Sequence, residues 1–427
     1  MAGSVSYVGA LEELWRALKD NYPAMELVGA AGDGWLEEYR PQVRAAGSAR
    51  DAYSLMDELV CRLSDYHTRL TWPDMPPMAG PPVEVLVVPR KRPAAPASVA
   101  RELQLRGFAP VPIEMPPPRD EVVAVSRVEG VPGLRPGDLV ATIDGVPVEQ
   151  ALASAWRHSC GSSRRARLRE ACWRMLLGAP GSELRLGVRR GSSEGREVRV
   201  RRDGFGSQPN VNVTEASGIP VVRIRGWGDS PGKPLVAEVD AILERYRNSL
   251  GIVFDVRGNG GGDDDLADQV TGRFLSHPVV SSVSFHRRVP SLDYERTTEW
   301  AKPRGPWRFE GRAAVLTDEA CRSACEHFVS GMAEAGALLC GSSTDGACGW
   351  IRPVELSGGA RLYVSRTLPL HTGGVPSPML GIVPHLWLPP TLPDLRAGRD
   401  AALTNAVEWV RSDAPLPARP LARYDGE

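Results

Sequence analysis

A chain of 427 residues has room for two or three domains, each with a sizeable apolar core. Lys plus Arg (51) nearly balances Asp plus Glu (52), so bulk charge favours neither nucleic acid nor an anionic membrane surface. The basic residues include only four lysines, Lys19, Lys91, Lys233 and Lys302, so a mechanism that needs a lysine has few places to find one.

No apolar run reaches the 18 residues of a membrane span, and Glu12, Glu13 and Arg16 interrupt the N-terminal apolar pattern. The start of the chain therefore reads as a mature helix in a cytoplasmic protein. Seven cysteines, with no CxxC pair, point to free thiols rather than zinc or a disulfide framework. Leu11, Leu14, Trp15 and Leu18, then Ala52, Leu55, Met56, Leu59 and Leu63, recur at helical spacing, predicting an N-terminal helical domain over 1–75. A Pro-rich linker with one strand, 83–88, follows over 76–120.

Over 121–204 the pattern turns to β. Strands are predicted at 122–128, 183–190 and 196–202, with a helical stretch at 148–177. From 205 to 412 strands and helices alternate, as in an α/β layered core, with strands at 221–224, 251–256 and 313–316 and helices at 234–246, 263–275 and 323–335. A Pro-rich tail closes the chain over 413–427.

Two strand-to-helix junctions could carry chemistry. Asp255-Val256-Arg257-Gly258-Asn259-Gly260-Gly261-Gly262 runs from a strand into glycines, which let backbone N–H groups approach a ligand or an oxyanion. No lysine follows, so it is not a phosphate loop, and a plain tight turn remains an alternative. At the second junction, Ser323-Ala324-Cys325-Glu326 opens a helix. Ser323 is either an N-cap or a nucleophile whose oxyanion would meet the Ala324 N–H. His327 reads as a helix-face residue, and Asp263-Asp264-Asp265 as a helix cap rather than a metal site. No metal or other cofactor is expected.

Taken together, these motifs resemble the C-terminal processing (tail-specific) peptidases, in the branch similar to the tricorn core. D-x-R-G-N-G-G-G precedes a strand and S-A-x-E by about sixty residues. Leu63-Ser64-Asp65-Tyr66-His67-Thr68 is similar to the L-x-D-x-H-T that ends the family's helical domain, and Gly381-Ile382-Val383-Pro384 to its G-I-x-P ending. Gly133-Leu134-Arg135-Pro136-Gly137-Asp138, followed by Ile143-Asp144-Gly145, resembles an internal PDZ domain, which would bind an extended peptide at a sheet edge. The resemblance implies an α/β fold with a ClpP/crotonase-like core of stacked β-β-α units, plus the helical domain and a PDZ-like β domain.

It further implies Ser323 as nucleophile and the N–H groups of Ala324 and of Gly260 or Gly261 as oxyanion donors. No lysine follows Ser323 at the position of the tail-specific base, where Cys348 stands instead as a packing residue or a reactive thiol. His67 is then the general base, at home near neutral pH. Tyr66 precedes it where the family has a smaller residue. The acid behind His67 is unassigned among Glu355, Asp345 and Asp65. The implied partner is a peptide or peptide-like substrate, with no nucleic acid or membrane, and a homo-oligomer is one assembly option. Two other readings remain: an acyl-transfer or cyclising enzyme using the same Ser323 acyl-enzyme, and a peptide-binding pseudoenzyme.

Overall fold

The computed structural model describes residues 6–23, 25–92, 120–191, 194–287, 294–347, 349–371, 375–376 and 381–418. The apolar stripes of the N-terminal segment close on one another as three helices, α1 (Tyr7–Asn21), α2 (Met25–Arg44) and α3 (Ala49–Cys61). Ser6 and Ser48 cap α1 and α3 by accepting the N–H groups of Gly9 and Asp51. Leu11, Leu14, Leu18, Met56 and Leu59 are buried between them. After α3 the chain turns sharply at Ser64, whose φ is 52°, and enters β1 (Arg69–Thr71).

The strand predicted inside the linker has a sheet to belong to. β2 (Val83–Pro89) pairs antiparallel with β3 (Glu121–Val128), which leads to β4 (Leu139–Ile143), the short β5 (Val146–Pro147), β6 (Glu183–Arg189) and β7 (Arg196–Arg201). The order is β2-β3-β4-β6-β7, with β5 pairing β4 and β2 at one edge. The helical stretch predicted over 148–177 is two helices, α4 (Val148–Arg157) and α5 (Arg164–Arg174), because Ser163 starts a new helix by accepting the Ala166 N–H.

The expectation of free thiols fails at one pair. Cys61, at the end of α3, forms a disulfide with Cys160, just past α4. Partners 99 residues apart become neighbours only when the helical layer packs against the β2–β7 sheet, so spacing along the chain gave no hint of the bond. Cys172, Cys321, Cys325 and Cys340 are free and buried. Disulfides are uncommon in reducing compartments, which weighs against the cytoplasmic expectation.

The core begins with the hairpin β8 (Val211–Ala216) and β9 (Ile219–Ile224) followed by α6 (Leu235–Arg245), a β-β-α unit. It continues through β10 (Gly251–Asp255), α7 (Asp264–Thr271), the antiparallel pair β11 (Val279–Arg287) and β12 (Tyr294–Ala301), β13 (Arg312–Thr317), α8 (Ala324–Glu334) and β14 (Leu338–Gly341). Strands β15 (Ile351–Glu355) and β16 (Arg361–Ser365) then turn back to pair with β1, and Leu362 and Val364 complete the core of the helical layer. β17 (Thr367–His371) and β18 (Val375–Pro376) extend the β12-β11 sheet. The chain ends through β19 (Leu386–Trp387), α9 (Leu392–Ala397) and α10 (Ala401–Val410).

The main sheet has the order β19-β14-β13-β10-β9-β8, parallel except at β8. Side-chain alternation along its strands explains the layering. Ile252 and Phe254 face α6, α7 and α8, whereas Val253 faces Ala406 and Val407 of α10. The central strands are therefore apolar on both sides, as a sheet covered by helices on both faces requires. Among the described residues, no helix is long and apolar enough to cross a membrane.

Candidate active site

Strand register brings the two chemical junctions together. β10 and β13 are adjacent and parallel, with Asp255 opposite Leu316, so the loops after both strands leave the same end of the sheet. The loops are also tied directly. The Arg322 N–H donates to the Asn259 carbonyl at 3.2 Å, and the Gly258 N–H donates to Asp318 Oδ1 at 2.8 Å. The D-x-R part of the motif locks the strand end, since Asp255 pairs with both Arg257 (2.9 Å) and Arg223 (2.8 Å). Despite burial, these two cations hold the Asp255 carboxyl down at about 2. Arg257 also reaches Asp400 at 2.8 Å, fastening the start of α10 to the same corner.

Gly261 stands against the serine. Its φ is +100°, and a Cβ there would lie 2.6 Å from Ser323 Cβ and 2.8 Å from the Arg322 carbonyl oxygen. Only glycine allows this approach. Gly262, at φ +143°, packs equally tightly, because a Cβ there would lie 2.0 Å from the Trp227 carbonyl oxygen. The Gly261 N–H already donates to Asn259 Oδ1 at 2.9 Å, and the buried Asn259 is held in turn by the Ile224 carbonyl at 3.2 Å. Gly260 is exposed, and a Cβ on it would meet nothing within 4 Å.

Ser323 occupies the N-cap position of α8 at φ 55°, ψ −131°, a strained conformation for a residue with a side chain, and it makes no side-chain capping bond. The N-cap alternative therefore does not account for it. Its N–H donates to the Ala347 carbonyl and its own carbonyl accepts from the Glu326 N–H, both at 2.7 Å. Ala324 begins the helix, so its N–H has no partner within the helix. The buried Glu326 carboxylate accepts the Thr344 hydroxyl and the Gly346 N–H (3.0 Å), pinning the 344–346 loop beneath the serine's helix.

His67 comes to this region on the turn between α3 and β1. The Asp65 carboxylate shapes that turn by accepting the His67 N–H and the Thr68 hydroxyl, both at 2.9 Å. The imidazole is buried, and its Nδ1 has no hydrogen-bond partner. Burial, reinforced by the positive charges of Arg322 and Arg69, pushes it down to about 4. Arg322, the residue before Ser323, lies 3.4 Å over the ring of Tyr66, which meets the His67 ring edge-on at 6.4 Å. Across the site, Asp345 Oδ2 is 3.0 Å from Arg322 Nε but misaligned for a hydrogen bond, while Asp345 Oδ1 accepts the Ser162 N–H at 2.9 Å. Burial pushes Asp345 up to about 7, with Arg322 opposing the shift.

None of the three acids considered for His67 takes that place. Asp65 binds the histidine's backbone, and Asp345 is committed to Arg322 and Ser162. Glu355 lies exposed on β15, paired with Arg361 at 2.6 Å. Cys348 lies outside the described residues. The clasp Arg322–Asp345–Ser162 escaped sequence reading because its three members come from distant segments. The Asn259 side chain, inside the motif itself, could have been read as a turn former. His385 is structural, its Nδ1 accepting the Leu339 N–H at 2.9 Å.

Tyr66 and Arg322 also line a cleft of about 990 Å³ between the β2–β7 sheet unit and the core, together with Glu84 of β2, Arg169 of α5 and Asp318. Among the described residues, no group of three or more His, Cys, Asp or Glu side chains could hold a metal ion.

Residues 218–385 match peptidase family S41. The core of this chain belongs to that family of tail-specific serine peptidases. Across nearly its whole length the S41 chain is similar in fold to solved proteases. The structure of mature CPAF complexed with lactacystin is 16% identical with a TM-score of 0.67, covering 95% of this chain and 97% of that one. The photosystem II D1 C-terminal processing protease is 18% identical with a TM-score of 0.54, covering 97% and 99%. A peptidase structure from Parabacteroides merdae is 16% identical with a TM-score of 0.57, covering 96% and 98%. No curated protein matches the sequence.

Proposed function

We propose that this S41 peptidase cleaves peptides through an acyl-enzyme on Ser323, with His67 as general base and the N–H groups of Ala324 and Gly260 receiving the oxyanion. The observation that carries the reading is the seat of Ser323. It is held at positive φ at the head of α8, uses its side chain in no cap, and touches a glycine that tolerates no Cβ. The low proton affinity of His67 keeps the imidazole neutral, as a base must be before it accepts the serine proton. In this reading the usual carboxylate behind the histidine is absent, and fixed charge and burial hold the neutral form instead.

The β2–β7 unit acts as a PDZ-like module, and the cleft it shares with the core is the route by which an extended substrate reaches Tyr66 and Arg322. A fluorophosphonate probe should label Ser323 and release from a peptide pool should be measurable by mass spectrometry. Ser323→Ala is expected to abolish both while leaving the thermal midpoint near that of the wild type. Undiminished cleavage by Ser323→Ala would refute the assignment.

A further inference from the structure

The helices that start at the two catalytic loops carry an unneutralised acidic cluster. Asp263 alone caps α7, accepting the Asp265 N–H at 2.9 Å, which leaves Asp264 turned towards α8. There Asp264 Oδ1 lies 3.9 Å and Glu299 Oε2 of β12 lies 3.7 Å from His327 Nδ1. Asp268, one turn further along α7, accepts only the Ser281 hydroxyl, at 3.1 Å. His327 is more than nine-tenths buried, and its Nδ1, Asp264 Oδ1 and Asp268 Oδ1 are buried with no hydrogen-bond partner. No arginine or lysine among the described residues pairs with any of these carboxylates, in a chain where most buried acids have an arginine.

An imidazolium at His327 is not a sufficient answer. Separations of 3.7–3.9 Å are too long for hydrogen bonds, and one cation does not balance three carboxylates. The mouth of the cluster is open, since the Asp264 and Glu299 side chains are 36% and 29% exposed. Its position relative to the chemistry follows from the chain. His327 is one turn, about 6 Å, along the helix from Ser323, and Asp264 is three residues past Gly261, which touches Ser323. A lysine or arginine side chain is long enough to cover that distance.

We propose that Asp264, Asp268 and Glu299, with His327 at the base, form a subsite that receives the cationic side chain of a lysine or arginine flanking the scissile bond. The inference rests on the serine-peptidase reading above and adds the substrate class. Recognition is electrostatic, so it weakens with salt and with protonation of the carboxylates. Burial pushes Asp268 up to about 6, so it loses its charge as pH falls through that value and the preference falls with it.

The test is cleavage of a peptide pool varied with Lys, Arg, Leu and Glu on each side of every bond, followed by kcat/KM for the preferred Lys peptide and its Leu counterpart. The wild type should favour Lys over Leu by about tenfold or more at low salt. That ratio should fall towards one in D264N/D268N, in 0.5 M salt and at pH 5. The salt and pH series on the wild type decides the matter even if the double variant does not fold. Equal rates for Lys and Leu, or a ratio that ignores salt, pH and both substitutions, overturn the subsite. If cleavage depends on Ser323 but shows no basic preference, only this inference fails. If cleavage is unaffected by Ser323→Ala, or no peptide is cut, the peptidase reading fails and the subsite with it.

Discussion

The buried imidazole of His67 makes a prediction in which stability and catalysis must move together. Its ordinary value of 6.5 falls to about 4 in the folded chain through burial and the nearby arginines, Arg322 first. Between those values the unfolded chain binds a proton that the folded chain refuses, so stability rises with pH across that window and is lost as pH falls through it. The full shift corresponds to about 3 kcal/mol, of which about 2.5 kcal/mol is already lost at pH 4.5. Asp345 and Asp268 are shifted upwards and act with the opposite sign, favouring the fold at low pH, so the His67 contribution must be isolated as a difference. The assay is denaturant unfolding of wild type and His67→Gln at pH 7 and pH 4.5, and the wild type should lose about 2.5 kcal/mol more than the variant between them. In parallel, the acid limb of kcat/KM should lie near pH 4 to 5 rather than at 6.5. An acid limb at 6.5, together with equal stability losses in both proteins, would refute the reasoning.

Gly261→Ala should reduce kcat by about a hundredfold or more, because a Cβ 2.6 Å from Ser323 Cβ must displace the nucleophile by a sizeable fraction of an ångström. Gly228→Ala in the neighbouring loop, where a Cβ meets nothing within 4 Å, serves as the comparison, and equal rates in the two variants would contradict the packing argument. Replacing Cys61 and Cys160 by alanine, or adding reductant, should lower unfolding stability by about 2–4 kcal/mol, read from the denaturant midpoint. An unchanged midpoint would show that the bond does not constrain the chain.

Much of the core was legible because its signals are local. The 3.6-residue spacing of Leu11, Leu14, Trp15 and Leu18 and the apolar runs at 251–255 and 312–317 are consequences of burial on one side or both, and each element appears within a few residues of its predicted bounds. Less local features were lost. The β11–β12 pair is rich in Ser, Thr and charged residues and has no strong alternation, so it left no strand signal. The helical stretch 148–177 read as one because Ser163 acts as a cap only when the chain turns there. The strand at 83–89 was recognised, but its partner lies beyond a Pro-rich stretch, so its place in the β2–β7 sheet was invisible.

The same division holds at the site. By itself the sequence determined the candidate nucleophile, the glycine loop and the exclusion of a downstream lysine, because each depends on residue type at short spacing. The sequence also brought forward His67, through a motif. Which acid stands behind His67 depended on where side chains point, and in the tertiary structure no carboxylate approaches its Nδ1. Arg322, Asp345 and Ser162 meet only because three segments converge, as do Cys61 with Cys160 and Asp264 with His327 and Glu299. Contacts of this kind are set by packing between elements far apart in the chain. Packing decides the protonation of His67 and the charge beside Ser323, and with them the chemistry that the motif alone leaves open.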